Sequence, residues 1–356
     1  MEKIDRFRQA IDGIDDEILE LLNKRASLVV EIGNLKKGSG QPLYVPSREL
    51  SIFERLGAGN TGPFPTDAIR NVFREIISAS LSLEELQKVA YLGPAGTFTH
   101  LAGIKNFGLS AKLIPLRSID EVFSEVEKRR CDFGIIPIEN SLEGVVNHTI
   151  DMFMDSTLTI CGEVFTEVNH NLMNKSGKSE DIKTIYSHPQ AIAQCKGWLS
   201  KKGTDVTIVE SPSTARAAEI ASKDFSAAAI SSEAAEILYN LRIVERNIED
   251  SRHNLTRFLV IGNIKSARTG NDKTSIMFSV MHTSGSLFKA LTPFAEDDIN
   301  LTKIESRPSK RKAWDYIFFV DIDGHLEDNK IKNALDNFSK NVSFLKILGS
   351  YPRGII

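Results

Sequence analysis

A charge stands where the sequence asks for an apolar side chain. Ile4, Phe7, Ile11, Ile14, Ile18, Leu21, Leu28, Ile32 and Leu35 recur at the three-four spacing of one buried helical stripe, and the gap between Leu21 and Leu28 is filled by Arg25. An isolated guanidinium on a buried face costs more than a marginally stable domain tolerates, so Arg25 needs an internal carboxylate or an incoming anion. Lys36 lies eleven residues on, which at roughly 100° per residue returns it to within about 20° of Arg25, about 16 Å further along the axis. Two long cationic arms therefore reach toward one place. Arg8 precedes Arg25 by seventeen residues, about 25 Å along the helix and roughly 100° around it, so it cannot serve that place in its own chain.

The elements that must position these cations follow from spacing. A helix of more than thirty residues with this apolar stripe is too long to be stable alone, and pairing with a second copy would carry Arg8 into the partner's cationic cluster. Lys37 to Pro42 breaks the helix, and Pro46-Ser47 starts a second with Arg48 and Glu49 in its first turn. Thr66-Asp67 opens a third, which places Ser80 and Glu84 at i and i+4 on one face. Arg8, Arg25, Lys36 and Arg48, with carboxyl and hydroxyl groups beside them, suit a small dianion.

These positions, together with the Val45-Pro-x-Arg-Glu49 segment, resemble the all-helical chorismate mutase family. The resemblance implies a dimer of three-helix chains that exchange their long first helix. Arginines would bind the two carboxylates of chorismate, with Glu49 and Ser80 also in the substrate site, while Lys36 and Glu84 contact the ether oxygen of the breaking bond. The rearrangement is unimolecular, so catalysis comes from holding the compact conformer and stabilising charge on that oxygen. The commonest enteric pattern has an aspartate where Val45 stands and a glutamine where Glu84 stands. An ionised Glu84 cannot donate to the ether oxygen, so it is expected to act protonated.

A chain of 356 residues exceeds the size at which single cores stop growing, so several domains are expected. A net charge of -3 without a basic arm gives no reason to propose a nucleic-acid partner. No apolar run approaches the length of a membrane span and the first residues read as a charged helix, so a cytoplasmic protein is expected. Cys131, Cys161 and Cys195 are too widely spaced for a zinc site or a disulfide framework and read as reduced thiols; no metal and no cofactor is expected.

From Lys88 the pattern changes to short apolar runs alternating with helical segments: Val89–Gly93, Phe133–Ile138, Thr184–Tyr186, a strand ending at Val209, and Ala227–Ile230. Each strand but the last runs into a loop of small hydroxyl and amide residues just before a helix, a place where open α/β sheets bind anions. There is no GxGxxG and no GxSxG, which sets aside a dinucleotide-binding fold and a serine hydrolase. Gly93-Pro-Ala-Gly-Thr-Phe-Thr, Pro137-Ile-Glu-Asn-Ser-Leu-Glu-Gly144, Tyr186-Ser-His-Pro-Gln190 with Gln194, Glu210-Ser-Pro-Ser-Thr-Ala215 and Asn254-Leu-Thr-Arg-Phe258 resemble, in family order, the prephenate dehydratases. The resemblance implies a bilobed α/β domain similar to periplasmic binding proteins, with prephenate between the lobes. Thr256 is the expected donor to the departing hydroxyl, and Asn140, Ser141, Ser187, Gln194 and Thr214 are expected to bind carboxylates and orient the ring. The bland alternative is that Thr256 is a strand residue with a structural hydroxyl and that Arg257 only bridges the lobes.

Ile264 to Lys273 is polar and reads as a linker. Beyond it a βαββαβ order implies a ferredoxin-like α+β domain. Gly285-Ser286-Leu287 and Glu305-Ser306-Arg307-Pro308 resemble the ACT regulatory domain, which implies phenylalanine bound at a dimer interface, with the second segment as a turn forming the facing wall. The expected organisation is a helical mutase domain over 1–87, a dehydratase domain over 88–265 and an ACT domain over 273–356, in a homodimer or a dimer of dimers. Two other readings remain: a dehydratase whose helical domain serves mainly for dimerisation, and a non-catalytic aromatic amino acid sensor. Thr256 and the four cations argue against the sensor.

Overall fold

The computed structural model describes residues 2–39, 44–202, 206–309 and 316–355, so part of the helix-breaking segment read at Lys37–Pro42 lies outside the described residues. The chain divides into two compact units, one of residues up to Gln87 together with Phe107–Lys112, the other of Lys88–Asn106 with Leu113 onward. Among the described residues no helix is long and apolar enough to cross a membrane.

The first unit is α1 (Glu2–Ser39), α2 (Pro46–Gly59) and α3 (Thr66–Glu84). Proline at the start of α2 gives up no hydrogen bond there. The apolar stripe of α1 is not buried within one chain: Phe7, Leu21 and Leu35 are 61%, 63% and 76% exposed. The reason is length, since helices of 14 and 19 residues cannot cover one of 38. α3 packs on the second half of α1, where Arg25 meets Ser80 and Gly33 meets Glu84. The turn at Gly108 (φ +73°) folds with this unit, Ser110 N donating to Ser78 Oγ over 3.1 Å.

The second unit holds three sheets. β1 (Lys88–Leu92), α4 (Phe98–Phe107), β2 (Lys112–Leu116), α5 (Ile119–Glu127), β3 (Phe133–Asn140), β4 (Gly144–Val145), α6 (Asn147–Phe153) and β5 (Thr159–Glu167) build the first lobe. The second lobe is β6 (Asn171–Asn174), β7 (Thr184–Ser187), α7 (Pro189–Gln194), α8 (Lys196–Lys201), β8 (Thr207–Glu210), α9 (Thr214–Ala221), β9 (Ala227–Ser231), α10 (Ala234–Leu238) and β10 (Arg242–Glu245). The chain then returns as β11 (Leu255–Gly262) into the first sheet, ordered β2-β1-β3-β11-β5 with β4 on β3; the second sheet is ordered β10-β6-β9-β7-β8. This return makes the structure bilobed, since the second lobe is an insertion between two neighbouring strands of the first sheet.

The third sheet, ordered β13-β14-β12-β15, comes from β12 (Asp272–Ser279), α11 (Ser286–Glu296), β13 (Leu301–Pro308), β14 (Tyr316–Asp323), α12 (Asn329–Ser339) and β15 (Phe344–Pro352). Its helices bury Phe294 and Phe338 on one face, while Met277, Phe319 and Leu348 join a core with Ile138, Ile160 and Leu259 of the first sheet. The expected linker is therefore not a loose tether. Ser266 is buried and donates to Cys161 O over 2.8 Å, and Lys273 reaches Glu163 at 3.0 Å, so the segment's polar groups are answered by protein rather than water.

Gly349 marks how tightly the sheets meet. At φ +150° a Cβ there would sit 2.2 Å from Ile160 O, a backbone atom that cannot swing away. Gly349→Ala should therefore lower stability by about 3 kcal/mol, read as a lower urea midpoint of the far-ultraviolet transition; an unchanged midpoint would show that the contact yields freely.

Candidate functional site

In the helical unit, Arg25 Nη1 donates to Ser80 Oγ, which donates in turn to Ile76 O over 2.6 Å. Burial, and after it the neighbouring Arg48 guanidinium, hold the Arg25 pKa below its ordinary value, and a bound anion would offset both effects. Arg74 pairs with the buried Glu49, leaving Glu49 Oε1 buried without a hydrogen-bond partner among the described residues. Burial pushes the Glu49 carboxyl up and Arg74 pulls it partly back. That oxygen is an acceptor awaiting a donor. Gly33 lets Glu84 lie against α1 one turn before the half-buried Lys36; a Cβ at Gly33 would sit 2.8 Å from Glu84 Cγ. Arg48 is exposed at the start of α2, its Nη1 3.4 Å from Ser51 Oγ. Arg8 is exposed, 3.4 Å from Asp5, and far along α1 from this cluster. Arg74, whose only sequence signal is its place four residues after Arg70 on α3, was not foreseen.

In the bilobed unit, β3 and β11 set Asn140 directly opposite Thr256. Asn140 Oδ1 accepts the backbone N–H groups of Leu142 and Glu143, each at 3.0 Å, which fixes the amide with Nδ2 toward Thr256 Oγ1 (2.9 Å) and Asn254 Oδ1 (2.6 Å). Thr256 thus accepts from Asn140 and has no acceptor for its own proton among the described residues. The polarity propagates: Asn254 Nδ2 donates to Gln194 Oε1 (3.0 Å), Gln194 Nε2 donates to Glu143 Oε1 (3.3 Å), and His170 Nε2 must be the donor to Gln194 Oε1 (2.8 Å). Burial lowers the His170 pKa against the opposing pull of Gln194 and Glu249, which favours the neutral ring. Ser141 locks the same corner, its Oγ donating to His253 O (3.1 Å) and accepting from Leu255 N (2.9 Å).

Asn140, Ser141, Gln194 and Thr256 therefore share one network. Ser187 does not join it; fully buried, it donates to Ile230 O over 2.7 Å, so it ties β7 to β9 and has no proton to offer a carboxylate. Thr214 opens α9, whose N-cap is Ser213. Asn254, His170 and Glu143 were missed as site residues, although Asn254 stood inside a quoted motif and His170 lies in a run of Asn169, His170 and Asn171. Arg257 does not bridge the lobes; it turns to the third sheet, 2.6 Å from Asp321.

In the third sheet, Gly285 (φ +76°) opens α11, and Gly285, Ser286 and Leu287 line a hollow of about 210 Å³ with Met281, Tyr316 and Phe318. Glu305, Ser306, Arg307 and Pro308 are not a turn but the end of β13, paired with Phe319, Phe318, Ile317 and Tyr316 of β14. Proline is tolerated there because β13 is an edge strand and Pro308 its last residue. Arg307 and Pro308 line a different hollow, of about 230 Å³, beside Asp151 and Met154.

Three family models match: chorismate mutase type II over residues 7–85, prephenate dehydratase over 89–266 and the ACT domain over 274–339. A bifunctional chorismate mutase/prephenate dehydratase of Aquifex aeolicus is 49% identical over 100% of this chain and 99% of its own. Among solved structures, a prephenate dehydratase of Arthrobacter aurescens in complex with L-Phe is 31% identical, with a TM-score of 0.69 over 75% of this chain and 90% of its own. A quorum-quenching acylase is 29% identical, with a TM-score of 0.68 over 75% of this chain and 98% of its own.

Proposed function

The chain belongs to the bifunctional chorismate mutase/prephenate dehydratase family, and on that premise we propose that the arginine cluster of the helical unit and the Asn140–Thr256 pair are its two catalytic sites. The protein is a bifunctional enzyme of phenylalanine biosynthesis that rearranges chorismate to prephenate and converts prephenate to phenylpyruvate.

In the first site, Arg25 and Arg48, with Arg8 supplied by a second copy, take the two carboxylates of chorismate. Ser80 steadies Arg25, and Glu49 Oε1 accepts from the substrate hydroxyl. Lys36 and Glu84 donate to the ether oxygen as its bond to carbon breaks and the new carbon–carbon bond forms. The exposed stripe of α1 supports a homodimer, since a second α1 would cover it and deliver Arg8. Three free, buried cysteines are in keeping with a reducing cytoplasm. If Glu84 acts as a proton donor, mutase kcat/KM should fall about tenfold per pH unit once its carboxyl ionises, and Glu84→Gln should flatten that limb. A flat profile for the parent enzyme from mildly acidic to alkaline pH would contradict the role.

In the second site, the bond from the ring to its carboxylate breaks and the electron pair enters the ring as the C4–O bond breaks. CO2 departs, the hydroxide takes up one proton and leaves as water, and the ring becomes aromatic. Thr256 supplies the hydrogen bond to the departing oxygen, with Gln194 and Thr214 beside the carboxylates, while Ser141, whose proton goes to His253 O, holds the corner of the loop. The observation that supports this assignment is the bond from Asn140 Nδ2 to Thr256 Oγ1 at 2.9 Å, which turns the threonine proton toward a ligand. Phenylalanine is proposed to bind the Gly285–Leu287 hollow, closed by the Glu305–Pro308 strand of a second copy, and to slow the dehydratase by favouring one arrangement of the dimer. The test is to supply chorismate and follow all three compounds. Phenylpyruvate arising through prephenate, slowed by phenylalanine, is expected; prephenate that accumulates without further change would confine activity to the helical unit.

A further inference from the structure

Beneath the Asn140–Thr256 pair lies a buried charge cluster that neither reaction uses. Arg257 stands opposite Glu139 one step along the same two strands, so these side chains leave the sheet on the face away from the pair. Arg257 is 3% exposed, with Nε 2.6 Å from Glu163 Oε2, Nη1 2.6 Å from Asp321 Oδ2 and 3.0 Å from Glu139 Oε1, and Nη2 donating to Tyr351 Oη over 3.0 Å. Lys273 lies 3.0 Å from Glu163, and Lys303 pairs with Glu139. Three cations thus face three carboxylates, a closed and neutral set. Asp321, Lys303 and Tyr351 tie β14, β13 and β15 directly to the residues flanking Thr256 and Asn140, and Lys273 ties β12 to Arg257 through Glu163.

β13 presents two faces. Lys303, Glu305 and Arg307 are half-buried, while Ile304, Ser306 and Pro308 between them are exposed. A ligand or second chain that presses on the exposed face moves the strand that holds Glu139. We propose that Arg257, Glu139 and Lys303 are positioning residues that fix Asn140 against Thr256, and that the Lys303–Glu139 pair carries the state of the third sheet to the dehydratase cleft. A low-dielectric cluster of this kind does not stretch gradually: displacing Lys303 either drags β3 with it or leaves a buried carboxylate short of a cation. The proposal rests on the reading of Asn140 and Thr256 as the dehydratase site.

The test uses the full chain with Lys303→Met and with the double variant Glu139→Gln/Lys303→Met. Lys303→Met should lower dehydratase kcat about tenfold with KM for prephenate within about twofold, raise the phenylalanine concentration for half-inhibition at least about tenfold, and leave mutase turnover unchanged. The double variant removes the stranded charge, so kcat should return while the phenylalanine response stays lost. A merely structural pair would restore both together. Parent-like inhibition in the double variant, or parent-like kcat and inhibition in Lys303→Met, overturns the proposal. Should the single variant fail to fold, the phenylalanine response of the double variant decides. A parent enzyme without dehydratase turnover would instead bring down the reading of the site.

Discussion

Thr256→Val is expected to leave chorismate consumption at the parent rate and to slow conversion of prephenate by about 10²- to 10³-fold, the effect of removing one preorganised donor where charge develops. Valine keeps the shape of threonine, and Thr256 is 8% exposed, so the pocket keeps its form. Asn140 is not orphaned by the change, since Nδ2 retains Asn254 Oδ1 at 2.6 Å and Leu255 O at 3.4 Å. The loss should therefore appear in kcat, with KM for prephenate nearly unchanged. Thr256→Ser, which keeps the hydroxyl, should retain most of the rate. A valine variant that decarboxylates prephenate at the parent rate would leave the departing hydroxyl without the donor assigned to it.

Arg25→Met is expected to lower mutase kcat/KM by about 10²- to 10³-fold, the cost of leaving a substrate carboxylate without its charged partner. Its effect on stability should run the other way. Burial and Arg48 both work against the Arg25 charge, and Ser80 can keep its bond to Ile76 O at 2.6 Å when Arg25 is gone. A thioether of similar length removes the repulsion and keeps the packing, so the thermal midpoint should hold or rise. A variant that melts earlier would mean that Arg25 is there for the fold. Dehydratase turnover should be unaffected.

The helices, the βαββαβ succession of elements in the last part of the chain and the loops after the strands were legible because periodicity and N-cap chemistry are local. Arg25 could be picked out from one gap in a stripe. What could not be read was anything fixed by tertiary pairing. The partner of Thr256 is 116 residues away in sequence, and only the strand register brings Asn140 to it. Glu305–Pro308 was expected as a turn from the resemblance to the ACT domain, but it is strand, its alternating burial set by pairing with β14. Ile264–Lys273 looked like a tether for a similar reason: its polarity is matched by buried partners such as Cys161 O and Glu163, which composition does not reveal. The α1 stripe was expected to be buried, and within one chain it is exposed because the two shorter helices cannot cover it, which supports the proposed pairing with a second copy.

The two sites proposed for one chain should be separable by single substitutions. The most direct measurement gives Thr256→Val and Arg25→Met separately chorismate and prephenate, and follows both compounds and phenylpyruvate. Thr256→Val should turn chorismate into prephenate and stop, while Arg25→Met should leave chorismate almost untouched yet convert added prephenate to phenylpyruvate. Loss of both activities in either variant, with the fold intact by circular dichroism, would contradict that separation.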